Sequence, residues 1–134
     1  MTNVELVRSG SLAGSVPYAY AAVTPAGRTV WTAGACPLDK QGTVVAPGDV
    51  ASQARQVMAN LVVALDAAGA GLTDVARSTV YVASADRSDL VAAWDVVRAA
   101  FGDHDAPSTL LGVAALGYPD QLVEVEAVAV LPED

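Results

Sequence analysis

The sequence predicts an α+β domain, a mixed six-stranded sheet with two helices on one face. Three observations carry this. Two stretches, after Asp49 and after Ser88, repeat apolar residues at three- and four-residue spacing, the period of an amphipathic helix. Short runs rich in Val, bounded by Gly and Pro, read as strands. The order is strand, strand, strand, helix, strand, helix, strand, strand, so the chain returns to the sheet after each helix. A length of 134 residues suits one domain, 1–134.

Val4–Val7 is a short strand candidate. Residues 8–18 carry Gly10, Gly14 and Pro17 and read as loop. Tyr18–Val23 and Thr29–Ala33 flank the turn Thr24-Pro25-Ala26-Gly27, which predicts a hairpin. From Cys36 to Gly48, Pro37, Gly42 and Pro47 interrupt any regular pattern. Asp49 is a helix start. Val50, Ala54, Val57, Leu61, Ala64, Leu65 and Ala68 then line one face until Gly69 and Gly71 stop it. Gln53, Arg55, Gln56, Asn60 and Asp66 fall on its polar side.

Val75–Val82 is the next strand, with Val80 and Val82 on one face and Thr79 and Tyr81 on the other. Ser88 with Asp89 starts the second helix, whose stripe is Leu90, Trp94, Val97 and Phe101 and whose stop is Gly102. Thr109–Leu116 is a strand, Gly117–Asp120 a turn and Leu122–Val130 the last strand. There Val123, Val125, Ala127 and Ala129 point one way and Glu124 and Glu126 the other. With the apolar set against the helices, both acids stand on the face the helices leave open.

Composition removes several function classes. Lys and Arg number 7 against 15 Asp and Glu, a net charge of -8, so no basic patch for a nucleic-acid backbone can be assembled. Two Trp, four Tyr and one Phe are too few for a base-stacking platform. No apolar run nears the ~20 residues of a membrane helix, and the first residues lack the apolar stretch of a signal peptide. Cys36 is the lone cysteine, which fits a reducing, cytoplasmic setting. With no identifiable His partner it reads as a small buried hydrophobe. His104, the one histidine, excludes a His-rich metal site and reads as a surface loop residue.

Many segments together resemble the RidA/YjgF family over nearly the whole chain. They include Pro17-Tyr18, Thr32-Ala33-Gly34 followed by Pro37, Gly42 through Gln53, Gln53-Ala54-Arg55-Gln56 to Asn60-Leu61, and Ala67-Ala68-Gly69. Asp74-Val75 to Val82, Asp89 to Phe101, and Val123 to Val130 complete the set. The resemblance implies a chorismate-mutase-like subunit and a homotrimer packed sheet to sheet, with clefts between neighbours. It implies hydrolysis of reactive enamines and imines to 2-oxo acids and ammonia, with no metal or cofactor. It places catalytic residues at Tyr18 and at Glu124, which holds a water. It places substrate contacts at the Gly34 backbone and at Ala33, Ala35, Trp94 and Ser108.

Four of those positions depart from the family pattern. Ala33 stands for its serine, Ala35 for its glutamine and Trp94 for its asparagine. Ser108 stands where the family has the arginine that grips a substrate carboxylate. A guanidinium binds a carboxylate through two parallel hydrogen bonds, and a serine hydroxyl cannot. The expected cleft is therefore more apolar than usual, and the expected substrate lacks the usual carboxylate. Glu124 is suited to proton transfer near neutral pH, or else is a solvated or interface-bonded face residue. Tyr18 orients a substrate or plugs an interface. Ser108 donates to a ligand or caps a loop. Trp94 fits the helix stripe as a core residue, or else also walls the cleft. The expected function is a small-molecule lyase or hydrolase of this type, acting in an inter-subunit cleft. The alternative is a non-catalytic trimer that holds a small ligand there. Cleavage of RNA, also attributed to the family, runs against the charge of -8.

Overall fold

Helix α1, Val50–Ala67, begins where Asp49 turns its carboxylate back on the chain. The carboxylate accepts from the Ser52 N–H at 3.0 Å and the Ser52 hydroxyl at 2.7 Å, pairing a donor that the first turn leaves free. The computed structural model describes residues 3–132. Val57, Leu61 and Leu65 are fully buried along α1, and so is Gln53, expected on its polar side. Its amide is completely matched. Nε2 donates to the carbonyls of Val45, Ala46 and Asp120, and Oε1 accepts from the Leu122 N–H. Such a buried amide costs little because every polar atom has a partner. Ala64 and Ala68, expected on the apolar side, are exposed, while Met58 is buried.

Helix α2, Arg87–Phe101, starts slightly earlier than the sequence suggested. Its cap is Asp86, which accepts from the Ser88 N–H at 2.9 Å. Ala93, Val97 and Phe101 form its buried stripe, and Gly102 ends it at φ 65°, where a side chain would be strained. A short 3-10 turn, Leu72–Asp74, leads from α1 back to the sheet.

Six strands form among the described residues: β1 Glu5–Val7, β2 Ala21–Val23, β3 Arg28–Trp31, β4 Val75–Val82, β5 Ser108–Gly112 and β6 Val123–Leu131. They do not make one sheet. β1 and β2 pair as a separate antiparallel ribbon, and the rest run in the order β3-β6-β4-β5. The expected hairpin between the second and third strands is not made. Gly27 passes so close to β6 that a Cβ there would overlap the Leu131 carbonyl oxygen, and the chain runs on to pair β3 with β6. β4 and β5 are parallel, and α2 supplies the crossover that a parallel pair needs. β5 ends at Gly112, where a Cβ would lie 2.6 Å from the Ser84 carbonyl oxygen.

The core lies between the two helices and the four-stranded sheet. Val123, Val125, Ala127 and Ala129 of β6 all face it. A register shift between Val75 and Arg77 changes the phase of β4, so Val75 is buried and so are Ser78, Val80 and Val82. Arg77, Thr79 and Tyr81 are thereby left on the open face, beside Glu124, Glu126 and Val128. His104 is a correction to the sequence reading. It is buried, with Nε2 2.8 Å from the Val75 carbonyl oxygen and its ring beside Phe101. That loop folds under the start of β4 instead of reaching into solvent.

Candidate active site

The segment 34–36 is laid beside β6 by two backbone hydrogen bonds between Ala35 and Val125, at 2.7 and 3.2 Å. The Glu124 carboxylate then rests over Gly34. A Cβ at that position would overlap the carboxylate and lie 2.8 Å from the Glu124 Cγ, so only glycine leaves room. Oε1 of Glu124 accepts from the Gln121 amide Nε2 at 3.2 Å and from the Cys36 thiol at 3.3 Å. No hydrogen bond among the described residues reaches Oε2. The one ion pair among them, Arg8 with Asp105 at 2.8 Å, lies elsewhere.

Gln121 and Cys36 were not singled out as site residues, and they change its character. With Ala33 and Ala35 in place of polar side chains, Glu124 was expected to face few donors. The structure supplies two. Burial, and then the hydrogen bond to and the charge of Glu124, push the Cys36 thiol up to about 11, so at neutral pH it keeps its proton and donates. Neighbouring Glu126 is separately engaged, since its Oε1 accepts from the Tyr81 hydroxyl. That bond, with burial and the nearby charges of Glu126 and Glu124, raises the Tyr81 phenol above its ordinary value.

The other expected residues gather elsewhere. Pro17, Tyr18, Trp94, Ser108, Thr109 and Leu110 line a cavity of about 440 Å³ at the β5 edge. Exposed Arg8 braces this corner by donating to the carbonyls of Tyr18 at 2.9 Å and Val16 at 3.2 Å. The Tyr18 ring meets Tyr20 edge to face at 5.8 Å, and no hydrogen bond among the described residues engages its hydroxyl. Ser108 donates to the Ala106 carbonyl at 3.0 Å and shares a short hydrogen bond with buried Ser78. Its hydroxyl is thus occupied on the helix side of the sheet, whereas Glu124 stands on the open side. Ala35 packs against the core and Ala33 is exposed. Within one chain the expected residues therefore form two groups, Gly34 with Glu124 and Tyr18 with Trp94 and Ser108. A wider apolar groove, about 780 Å³, runs between α1 and α2.

Known proteins resemble this chain in sequence and in fold. A family model described as Endoribonuclease L-PSP covers residues 10–131. A RutC family protein of Pyrococcus horikoshii is 34% identical over 110 residues, 82% of this chain and 85% of its own. The chain belongs to the RidA/YjgF family. Another RidA/YjgF relative, goat 2-iminobutanoate/2-iminopropanoate deaminase, is 33% identical over 114 residues, 85% of this chain and 80% of its own. A crystallised Rid family protein of Yersinia pestis superposes with a TM-score of 0.90 at 33% identity, over 96% of this chain and 99% of that one.

Proposed function

We propose that this RidA/YjgF protein hydrolyses an imine or enamine, with Glu124 moving the proton, in a cleft formed between subunits of a homotrimer. The observation that carries this reading is the Glu124 carboxylate itself. It is held by two neutral donors on one oxygen, while the other lies over Gly34 with no hydrogen bond among the described residues. In the reaction, water adds to the C=N carbon and the π electrons pass to nitrogen. Glu124 takes the proton that the water loses and returns it to the nitrogen. That gives a carbinolamine. Glu124 then takes the proton of its hydroxyl as the C=O forms and passes it to the nitrogen, so the C–N bond breaks with its electron pair on nitrogen, leaving a carbonyl compound and ammonia. General acid–base help of this kind is worth ~100- to 10,000-fold.

The two groups of one chain stand on opposite sides of the sheet, and a neighbouring subunit is what brings them together in this proposal. Glu124 and the Gly34 backbone come from one subunit. The cavity of Tyr18, Trp94 and Ser108 comes from the next, with the free Tyr18 hydroxyl orienting the substrate. The substrate is neutral or cationic. Ser108 replaces the arginine that the family resemblance calls for, its hydroxyl is already engaged, and both acids of β6 face the open side. The same charges speak against RNA cleavage.

The test is ammonia release from a panel of imines generated in place, with and without a carboxylate. Turnover of carboxylated imines is expected to be weak or absent, on the order of 30- to 1000-fold below that of a relative that keeps the arginine, the cost of a lost charge-assisted hydrogen bond. Glu124→Gln is expected to lose ~100-fold or more while keeping its oligomeric state, and Glu126→Gln to lose far less. Binding of small ligands with no turnover of any imine moves the reading to a ligand-holding trimer.

A further inference from the structure

The two oxygens of Glu124 have unlike surroundings. Oε1 receives both Cys36 and Gln121, while Oε2 receives no hydrogen bond among the described residues and lies against the bare Cα of Gly34. Both donors are themselves braced. The Gln121 Oε1 accepts from the Tyr118 N–H at 3.1 Å, and its Nε2 also donates to the Val123 carbonyl at 3.1 Å. The Cys36 turn is held by Asn60, whose Nδ2 donates to the carbonyls of Cys36 at 2.8 Å and Leu38 at 2.9 Å. Gln56 fixes the Asn60 amide in turn, through a bond of 2.9 Å to its Oδ1. Buried Gln53 holds the chain on either side of Gln121, at the Asp120 carbonyl and the Leu122 N–H. Three amides on one helix thus support, from behind, the two side chains that grip one oxygen.

We infer that Cys36 and Gln121 are positioning residues that hold Glu124 by Oε1, so that Oε2 is the oxygen that meets the substrate. The catalytic consequence rests on the hydrolysis reading above; the grip is a property of the folded chain. Chemistry explains the choice of donors. A lysine or arginine here would hold the carboxylate ionised and oppose its taking a proton. A thiol and an amide fix its orientation without adding charge. The thiol suits this role because burial and Glu124 keep it protonated well above neutral pH.

The chain has one cysteine, so its S–H stretching band in the infrared reports on Cys36 alone. The thiol has a second, longer contact, the Gly34 carbonyl oxygen at 3.5 Å. In the wild type the band is expected at the lowered frequency of a thiol bonded to a carboxylate, and Glu124→Ala is expected to move it upward, to that of a thiol left with the weaker carbonyl contact. On a turned-over imine, Cys36→Ala is expected to lower kcat about tenfold with KM unchanged, the effect of one lost bond to a charged group. Cys36→Ser, which keeps a donor, is expected to recover most of that loss, and a cysteine that merely fills space would not distinguish Ser from Ala in that direction. A wild-type band at the free-thiol position, or equal kcat for Cys36→Ala and wild type, overturns the inference. If the wild type turns over no imine, the hydrolysis reading fails, and the band alone then decides whether the grip exists.

Discussion

At Gly34 the backbone runs so close to β6 that any Cβ would displace the Glu124 carboxylate. The obstacle is the movable end of a side chain, so Gly34→Ala is expected to cost little stability, about 1 kcal/mol, the low end for overpacking. Turnover is expected to fall about as far as in Glu124→Gln, because the carboxylate swings away from both donors. A thermal melt together with imine turnover checks this, and an Ala variant with full activity would mean that the carboxylate works from elsewhere. Glu124 was legible in the sequence because strand alternation sets it opposite the buried Val123 and Val125. Cys36 and Gln121 were not. Cys36 lies 88 residues away in sequence, and the bond depends on the Ala35 and Val125 pairing that no local pattern announces. Gln121 precedes β6 in what reads as a turn, and its direction is set by Gln53 holding both its neighbours.

Both helices carry an aspartate at their start, and these caps make helix stability respond to acid. The backbone N–H of Ser52, then its hydroxyl, hold Asp49 below the ordinary aspartate value of 3.8. The Ser88 N–H and hydroxyl do the same for Asp86. A group whose folded value is lowered contributes stability above its unfolded value, and that contribution is lost as pH falls through the folded one. Wild type is therefore expected to lose stability below about pH 4. An Asp49→Asn/Asp86→Asn variant keeps good caps that do not titrate, so it is expected to lose less between pH 6 and pH 3. Denaturant midpoints at the two pH values and one protein concentration check this; an equal loss in both proteins would show that the caps do not govern it. The two helices were legible because their apolar period runs for several turns, and the exceptions have local causes. Gln53 is inside because loops on both sides offer it partners, and β5 is short because Gly112 runs into Ser84.

Across the whole molecule, the four-stranded sheet has one face covered by helices and one bare. Trp31 is 76% exposed on β3, in register with Val128 of β6, which in turn pairs with Arg77 of β4. Leu111 of β5 is 42% exposed, in register with Tyr81. A tryptophan left in water beside a sheet is unfavourable, and covering it is worth roughly 3–5 kcal/mol per subunit. The alternation of each strand made this bare face legible, but the split of six strands into a ribbon and a sheet was not, because pairing is decided by contacts between distant segments. The proposed homotrimer covers this face with copies of itself, by closed three-fold symmetry. It also closes the gap between Glu124 and the Tyr18 cavity, so assembly and activity are expected to fail together. Trp31→Asp places a charge where the sheets meet, and each chain already carries a net charge of -8. The wild type is expected to sediment at three times the chain mass, and Trp31→Asp as a monomer with helix content preserved and imine turnover lost. A wild type that sediments as a monomer would remove the shared cleft. A monomeric Trp31→Asp protein that keeps full turnover would place the whole site within one chain.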